Sequence, residues 1–520
     1  MATDSAKRAL IAQRIARSAA SNYVGRFIGL GLWFLLTPFI LRELGPVRYG
    51  LWAIIGSLIG FSSLLDLGIG DAVTRYVAQH VARQDFHLAR GLVATALRIY
   101  TLIGLATIVA SFIAALIIPG LAGTTQTVAG DTAVLVILIG LSAGISIPLS
   151  IARSVLLGLQ RFDITNLVDT SGTFVSAVAT IIVLLLGFGV PGMLAINVPV
   201  SVLAFGASAW FVRRVAPELR FGWSGASRSF VGPVLGFSWP LLATRVASQL
   251  QTRTDEIVIA LFLPISAVTP YALARKLSEL AQVLASQFVK VLLPLASQLD
   301  GQNDRIGLQS LYVATTRTTL MIFAPVAAVL IVLARPILLS WVGLPYGDAA
   351  ILVVILALAS LMDVSQWPGA LILQGMGRHR PLAPMAIGNG VANVVLSVVL
   401  VQTIGVVGVA LGTLVPMTAE ALGLVMPYAL RVIGVRPGDV ARRVLWPVFA
   451  PAVPTIMVLY LLRELATPTS APSTAAVAIV GIATYLLTYF RVGASAAERE
   501  TYHGVLVASL RFAERRFRWF

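Results

Sequence analysis

Long apolar stretches separated by short polar breaks run the length of the chain, and they are too long for the core of a soluble domain. A stretch of ~18 or more apolar residues spans a bilayer as a helix. About fourteen such stretches occur, near 19–41, 49–68, 91–118, 132–153, 164–187, 190–212, 232–262, 267–293, 310–333, 347–374, 382–402, 405–430, 443–462 and 472–490. The first is not a cleaved signal, because its small residues Ser18, Ala19 and Ala20 precede the apolar run instead of following it. The pattern predicts an all-α integral membrane protein.

Composition agrees. Of 520 residues, 58% are hydrophobic and only 12% charged, against about 25% charge in soluble proteins. Cysteine is absent, which excludes disulfides, Cys–zinc sites and thiol nucleophiles. The four histidines lie outside the long apolar runs, so no metal site or buried proton relay is expected from them. The net charge of +16 is explained by where the cations sit. With both termini cytoplasmic, the cytoplasmic segments carry 26 Lys and Arg, against four outside (Arg42, Arg48, Arg335 and Arg463). That asymmetry sets the orientation and accounts for the basicity without nucleic acid. No outer segment is long enough to fold as a soluble domain, so any site must lie between helices.

The chain also repeats itself. GLQRFD (158–163) enters the fifth span and GMGRHRP (375–381) the eleventh, with Gly158 to Gly375 and Arg161 to Arg378 both 217 apart. LGFGVPGM (186–193) matches GVVGVALGT (405–413) at an offset of 216, and YGLW (49–52) meets YALA (271–274) at 222. Six spans per repeat place both copies in the bilayer in the same sense. The predicted organisation is a six-helix bundle over 1–212, a cytoplasmic linker over 213–231, a second six-helix bundle over 232–430, two additional transmembrane helices over 431–490, and a basic amphipathic cytoplasmic tail over 491–520. The tail alternates apolar residues with Arg511, Arg515, Arg516 and Arg518, which suits anionic membrane lipids.

LGPVRYGLW (44–52), DLGIGDAVTRY (66–76), the GLQRFD hairpin and the stretch from GMGRHRP to GVVGVALGT resemble the polysaccharide-transporter branch of the multidrug/oligosaccharidyl-lipid/polysaccharide exporter superfamily. The resemblance covers about 1–490. It implies a flippase in the plasma (inner) membrane that moves a polyprenyl-diphosphate-linked oligosaccharide to the outer leaflet by alternating access. It also implies polysaccharide assembly proteins as partners. It implies neither enzymatic activity nor a cofactor.

Charges inside the spans are the candidate chemistry, since each costs roughly 2.5–3.5 kcal/mol at a helix centre and so faces a cavity or a partner. Asn22, Arg26 and Trp33 share a face of the first span. Arg245, Gln249 and Glu256 share one on the seventh, and Tyr271, Arg275 and Gln282 one on the eighth, with Glu279 at its edge. These stripes suggest a wet cleft between the halves. Arg26, Arg245, Arg253 and Arg275 lie at graded depths, and guanidinium forks suit the two charges of a diphosphate. The opposing reading is internal pairing, Arg245 with Glu256 and Arg275 with Glu279. Asp66 is expected to pair with Arg75, and Arg317 to reach for the cytoplasmic surface. Asp169, Asp363 and Glu420 are single acids on other spans that could bind Na⁺ or H⁺. Gly56–Gly60, Gly140–Gly144 and Gly408–Gly412 predict close helix packing.

There is neither a G-x-x-x-x-G-K-[ST] phosphate loop nor an H-E-x-x-H zinc motif. The large outer loops of a membrane glycosyltransferase or polymerase are missing too. A cation-coupled exporter of small amphipathic molecules is the alternative to the flippase. The lack of native cysteine makes the orientation directly testable. A cysteine at Thr124 should react with a membrane-impermeant maleimide in intact cells, and one at Ser224 only after lysis. The reverse labelling pattern would invert the topology.

Overall fold

The computed structural model describes residues 2–121, 126–219, 221–222, 225–289 and 292–494. The side chains of residues 2–28 and 118–131, and of a few positions within 228–247 and 287–288, lie outside the description. Every regular element among the described residues is helical. The chain divides into two compact units, residues 1–272 and 273–520.

The first unit begins with α1 (Ala2–Ser62), one helix by hydrogen bonding but broken at Gly45, where φ is 71°. That kink separates the first two predicted spans. A short 3-10 turn (Ser63–Asp66) leads to α2 (Ile69–Ala82), then α3 (Phe86–Leu121), α4 (Gln126–Leu149), α5 (Ile151–Gly158), α6 (Phe162–Leu185), α7 (Gly189–Ala195), α8 (Asn197–Val215), α9 (Val231–Arg253) and α10 (Asp255–Phe262). The seventh span is therefore not continuous: it breaks at Thr254. Helix α11 (Val268–Val289) contains the boundary between the units.

The second unit continues with α12 (Leu292–Gly301), α13 (Arg305–Val332), α14 (Ala334–Val342), α15 (Ala350–Gly375), α16 (Leu382–Ile404) and α17 (Val406–Thr418). A π-helical segment (Ala419–Val425) joins α17 to α18 (Met426–Ile433). Helices α19 (Pro437–Val440), α20 (Trp446–Phe449), α21 (Ala452–Ala466) and α22 (Ala471–Thr488) follow. The predicted tail lies outside the described residues from 495 onward.

Eleven helices among the described residues are long and apolar enough to cross a membrane. One of them, 29–66, carries the first two predicted spans, and the two segments with polar stripes, α9 and α11, fall outside the eleven. These three adjustments account for the difference from about fourteen. Burial separates central from peripheral helices: 61% of the most apolar window is buried in 305–332 and in 344–375, but only 17% in 86–117 and 162–185. Leu116, Leu35 and Leu261 are among many large apolar side chains left exposed, as a lipid-facing surface requires.

The repeat is visible in hydrogen bonds. At the end of α5, the amides of Leu159, Gln160 and Arg161 donate to the carbonyls of Val155, Leu157 and Leu156. At the end of α15, those of Met376, Gly377 and Arg378 donate to Ile372, Gln374 and Leu373, each 217 residues later. Both turns need one left-handed residue, Gln160 (φ 57°) and Gly377 (φ 69°). The helix-terminal glycines also match. A Cβ at Gly158 would lie 2.9 Å from the Thr74 carbonyl oxygen, and one at Gly375 2.7 Å from that of Leu293.

In the second unit, α21 and α22 pack on α13, where Leu459 and Val477 join Ala328, Val329, Val332 and Leu333. Arg317 on α13 reaches the C-terminal end of the last described helix. Its Nε donates to the Tyr489 hydroxyl (3.0 Å) and its Nη2 to the Gly493 carbonyl, because the terminal carbonyls of a helix offer a cation partial negative charge.

Two of the glycine pairs pack helices closely. A Cβ at Gly104 would collide with the Gly144 carbonyl, and one at Gly144 would meet the Gly104 carbonyl oxygen at 2.5 Å, so α3 and α4 touch backbone to backbone. Gly140 abuts Ser111, while Gly408 and Gly412 abut Leu400 and Ser397. Gly144→Ala should therefore lower the thermal stability of the purified protein by about 1–3 kcal/mol. Gly206, whose Cβ would meet nothing within 4 Å, should accept alanine with no loss. Equal melting temperatures for the two variants would contradict the contact.

Candidate functional site

The sequence DLGIGD (66–71) forms a tight polar corner. Leu67 (φ 50°) and Gly68 (φ 75°) both adopt the left-handed conformation, ending the 3-10 turn and starting α2 at Ile69. Asp66 and Asp71 thereby come to flank one guanidinium. Arg245 Nη1 lies 2.5 Å from Asp66 Oδ2, and its Nη2 lies 2.6 Å from Asp71 Oδ2. Asp66 Oδ1 accepts the Tyr100 hydroxyl from α3 and the Gly70 amide (3.3 Å). Gly70 has no room for a side chain: a Cβ would stand 3.0–3.2 Å from Ser154 Oγ, Asp66 Oδ1 and Tyr100 Oη. Asp66 thus takes Arg245, not the expected Arg75, whose guanidinium lies over the Tyr76 ring. Arg245 in turn takes these two aspartates and not Glu256.

Below that corner, α1 and α9 run past each other with matched polar positions. Gln249 Nε2 donates to Ser63 Oγ (2.9 Å), and Ser57 Oγ donates to Glu256 Oε2 (3.1 Å). Between them Arg253 lies along Gly60, where a Cβ would meet its Cδ at 3.1 Å and its Nε at 3.2 Å. The polar stripe predicted on the seventh span therefore faces α1 and the 3-10 turn after it inside the first unit, since these offer Ser57, Gly60, Ser63 and Asp66 at three-residue spacing. Gly60 is a berth for a side chain and not a helix crossing, and nothing lies within 4 Å of a Cβ at Gly56. Arg253 has no carboxylate partner among the described residues.

The break at Thr254 places Asp255 and Glu256 in the first turn of α10, where carboxylates are favoured by the helix dipole. Both are buried, and the equally buried Tyr271 donates its hydroxyl to Asp255 Oδ2 (2.5 Å). Tyr271 is thus a core residue and does not line a cleft.

Above the stripe opens a cavity of about 510 Å³, within the range of small-molecule sites. Eight of its eighteen lining residues are Ser or Thr. Its formal charges balance, with Arg153 and Arg245 against Asp66 and Asp71, and none of the described lining residues is aromatic. Ser142, Ser146, Ser150 and Ser154 follow at four-residue spacing along α4 and α5, and Asn197 and Ser201 do so on α8. Sequence reading missed these residues, as it missed Asp71, Tyr100 and Arg153. The recurrence of serine every fourth residue through a span was the available signal.

The remaining candidates separate. Asn22 and Arg26 lie outside the described side chains. Trp33 is half-buried on α1, and its carbonyl accepts the Thr37 hydroxyl (2.7 Å). Asp169 is committed to Arg153, which donates from Nε and Nη2 at 3.0–3.3 Å. In the second unit, Arg275 Nε is 3.7 Å from Glu279 Oε1, and Gln282 donates to Ser360 (3.0 Å). Asp363 and Glu420 share one polar cluster. Asp363 Oδ1 accepts from Trp367 Nε1 (3.2 Å) and Gln366 Nε2 (3.3 Å), and Glu420 accepts from Asn389. Gln366 and Asn389 both contact the Met417 sulfur. Neither acid meets a cation among the described residues.

A multi-pass helical protein with ion pairs and a polar cavity between its helices belongs to the class of membrane transporters. The polysaccharide biosynthesis protein family matches residues 40–351, and the chain belongs to that family. It is 23% identical to the succinoglycan biosynthesis transport protein ExoT of Rhizobium meliloti, over 67% of this chain and 66% of that protein. It is 21% identical to the probable low-salt glycan biosynthesis flippase Agl15 of Haloferax volcanii, over 77% and 80%. The inward closed structure of the lipid II flippase MurJ superposes with a TM-score of 0.68 at 17% identity, covering 91% of this chain and 97% of that one. These relatives are transport proteins of glycan assembly and not enzymes.

The charged corner makes a prediction about stability. Arg245→Gln leaves two aspartates facing each other and should destabilise more than Asp66→Asn, which leaves Asp71 in place. The groups are partly exposed, so the coupling in a double-mutant cycle should be about 1–2 kcal/mol. Additive losses in melting experiments would show that the pair contributes nothing.

Proposed function

We propose that the protein is a flippase for a polyprenyl-diphosphate-linked oligosaccharide, moving it from the inner to the outer leaflet for cell-surface polysaccharide assembly. One observation carries this reading: the cavity among the helices of the first unit is lined by hydroxyls and balanced charges, with no aromatic wall among its described residues. Amphipathic drugs are held by apolar and aromatic surfaces. A sugar head is held by hydrogen bonds. The transport and flippase names of the glycan relatives support the same choice over a drug exporter.

On this reading both termini are cytoplasmic, the two sequence repeats form parallel six-helix bundles, and the basic tail rests on anionic lipid. Polysaccharide assembly proteins consume the product. The diphosphate travels along the cations Arg26, Arg245, Arg253 and Arg275. Arg253 is the outer contact on α9, and its charge is not already taken by a carboxylate among the described residues. Arg245, about 12 Å nearer the cytoplasm along α9, is met before it and must exchange Asp66 and Asp71 for phosphate, and that exchange is the step that couples substrate to a change of conformation. The driving force is the membrane potential, worth about 2.3 kcal/mol per charge per 100 mV for an anion leaving a negative cytoplasm. Asp363 and Glu420 are the reserve site for a coupling Na⁺ or H⁺.

Reconstituted protein should move a fluorescent polyprenyl-diphosphate oligosaccharide between leaflets, and more slowly once the potential is collapsed with ion gradients held at zero. Arg253→Ala should lower the rate at least tenfold with unchanged insertion, and Arg245→Ala should abolish it. Full activity in both variants would remove the anion path. Transport of hydrophobic cations without any of the lipid-linked sugar would replace the flippase with the exporter.

A further inference from the structure

The hydroxyl wall of the first unit carries a more specific conclusion. We infer that the cavity between α2, α4, α5 and α8 is a saccharide subsite that selects uncharged sugar units, with Ser142, Ser146, Ser154 and Ser201 as its specificity-determining residues. This rests on the flippase reading and deepens it.

Serine in a helix ordinarily returns its hydroxyl to a carbonyl one turn back. Ser150 does so, donating to the Ile147 carbonyl at 2.7 Å. Ser111, elsewhere in the same unit, donates to Ile108 in the same way. Ser142 and Ser154 do not. The two residues are 5% and 9% exposed, both line the cavity, and neither hydroxyl is committed to a carbonyl of its own helix. Two hydroxyls on one cavity wall that are not spent on their own helix can both donate to and accept from a ligand. Between them, Ser146 Oγ and Ser201 Oγ satisfy only each other, at 2.9 Å across α4 and α8. A sugar hydroxyl both donates and accepts, so it can enter that pair without leaving either serine unpaired.

Charge defines the class. Arg245 is taken by Asp66 and Asp71, and Arg153 by Asp169. A uronate or other acidic sugar brought into the cavity would find every guanidinium on its wall already paired, and would sit close to Asp66 and Asp71. A neutral hexose asks only for hydroxyl partners. The diphosphate meets this pocket only at Arg245 on its edge, and Arg253, a cation without a carboxylate among the described residues, is not part of its lining.

The test uses the purified full chain in nanodiscs and fluorescently labelled tetrasaccharides free of any lipid. One set is built of glucose and galactose, the other of galacturonate. Uncharged probes should bind with measurable affinity and galacturonate at least tenfold more weakly. Ser142→Ala, Ser146→Ala and Ser154→Ala should each weaken binding by about two- to tenfold, the worth of one hydrogen bond. Ser142→Thr and Ser154→Thr, which keep the hydroxyl, should recover most of it, separating recognition from a packing defect. Equal or tighter binding of galacturonate overturns the selection of uncharged sugars. Binding by none of the probes, or binding indifferent to all three alanine variants, overturns the subsite. The assay has no carrier and no leaflets. Saccharide binding without translocation of lipid-linked sugar would therefore sink the flippase reading alone, and translocation without saccharide binding would sink this one alone.

Discussion

A guanidinium placed among membrane-spanning helices has to find a partner or a wet cavity inside the protein, since hydrocarbon supplies neither. Arg245 is the clearest case, and much of the first unit is arranged around it. The left-handed pair Leu67–Gly68 turns the chain so that two aspartates reach one cation. Gly70 is bare so that Asp66, Tyr100 and Ser154 can crowd the same spot. The polar positions of α1 match those of α9 because the latter, as a helix bearing charge, cannot present that face to hydrocarbon. The cavity opens beside this cluster, where hydroxyls already interrupt the apolar packing.

Much of the fold was legible because the bilayer imposes simple rules. Span length follows from one physical demand, the thickness of the bilayer, and the hydrogen bonds at the ends of α5 and α15 recur at a spacing of 217, residue for residue. The helical class and the family followed from these features. The break at Thr254 was not legible, because no Gly or Pro marks it within the polar run QTRTDE (251–256).

The site was legible by residue type and illegible by partner. Arg245, Gln249 and Glu256 were grouped on one face, with Arg253 named only for its depth, yet which surface that face meets depends on how helices distant in sequence pack. Periodicity fixes where a side chain lies on its own helix and says nothing of its neighbour. Asp66 was assigned the cation nearest in sequence, Arg75, when the one nearest in space is 179 residues away. The serine ladder was overlooked because serine is cheap in a membrane helix and carries no charge to draw attention. Its meaning lies in the two hydroxyls that fail to bond their own helix, which only coordinates reveal.

Gly60 shows how such a pairing would leave its mark on relatives of this chain. The glycine is small because the Arg253 side chain lies across it, so the two positions form one unit of selection. A lineage that replaced the arginine with a short side chain would release position 60 to accept alanine, valine or leucine at no cost. A lineage that first enlarged position 60 would displace the arginine and lose whatever its charge does. Substitution at 60 should therefore follow loss of arginine at 253 and not precede it, an order of events imprinted on the family's descent by a single van der Waals contact.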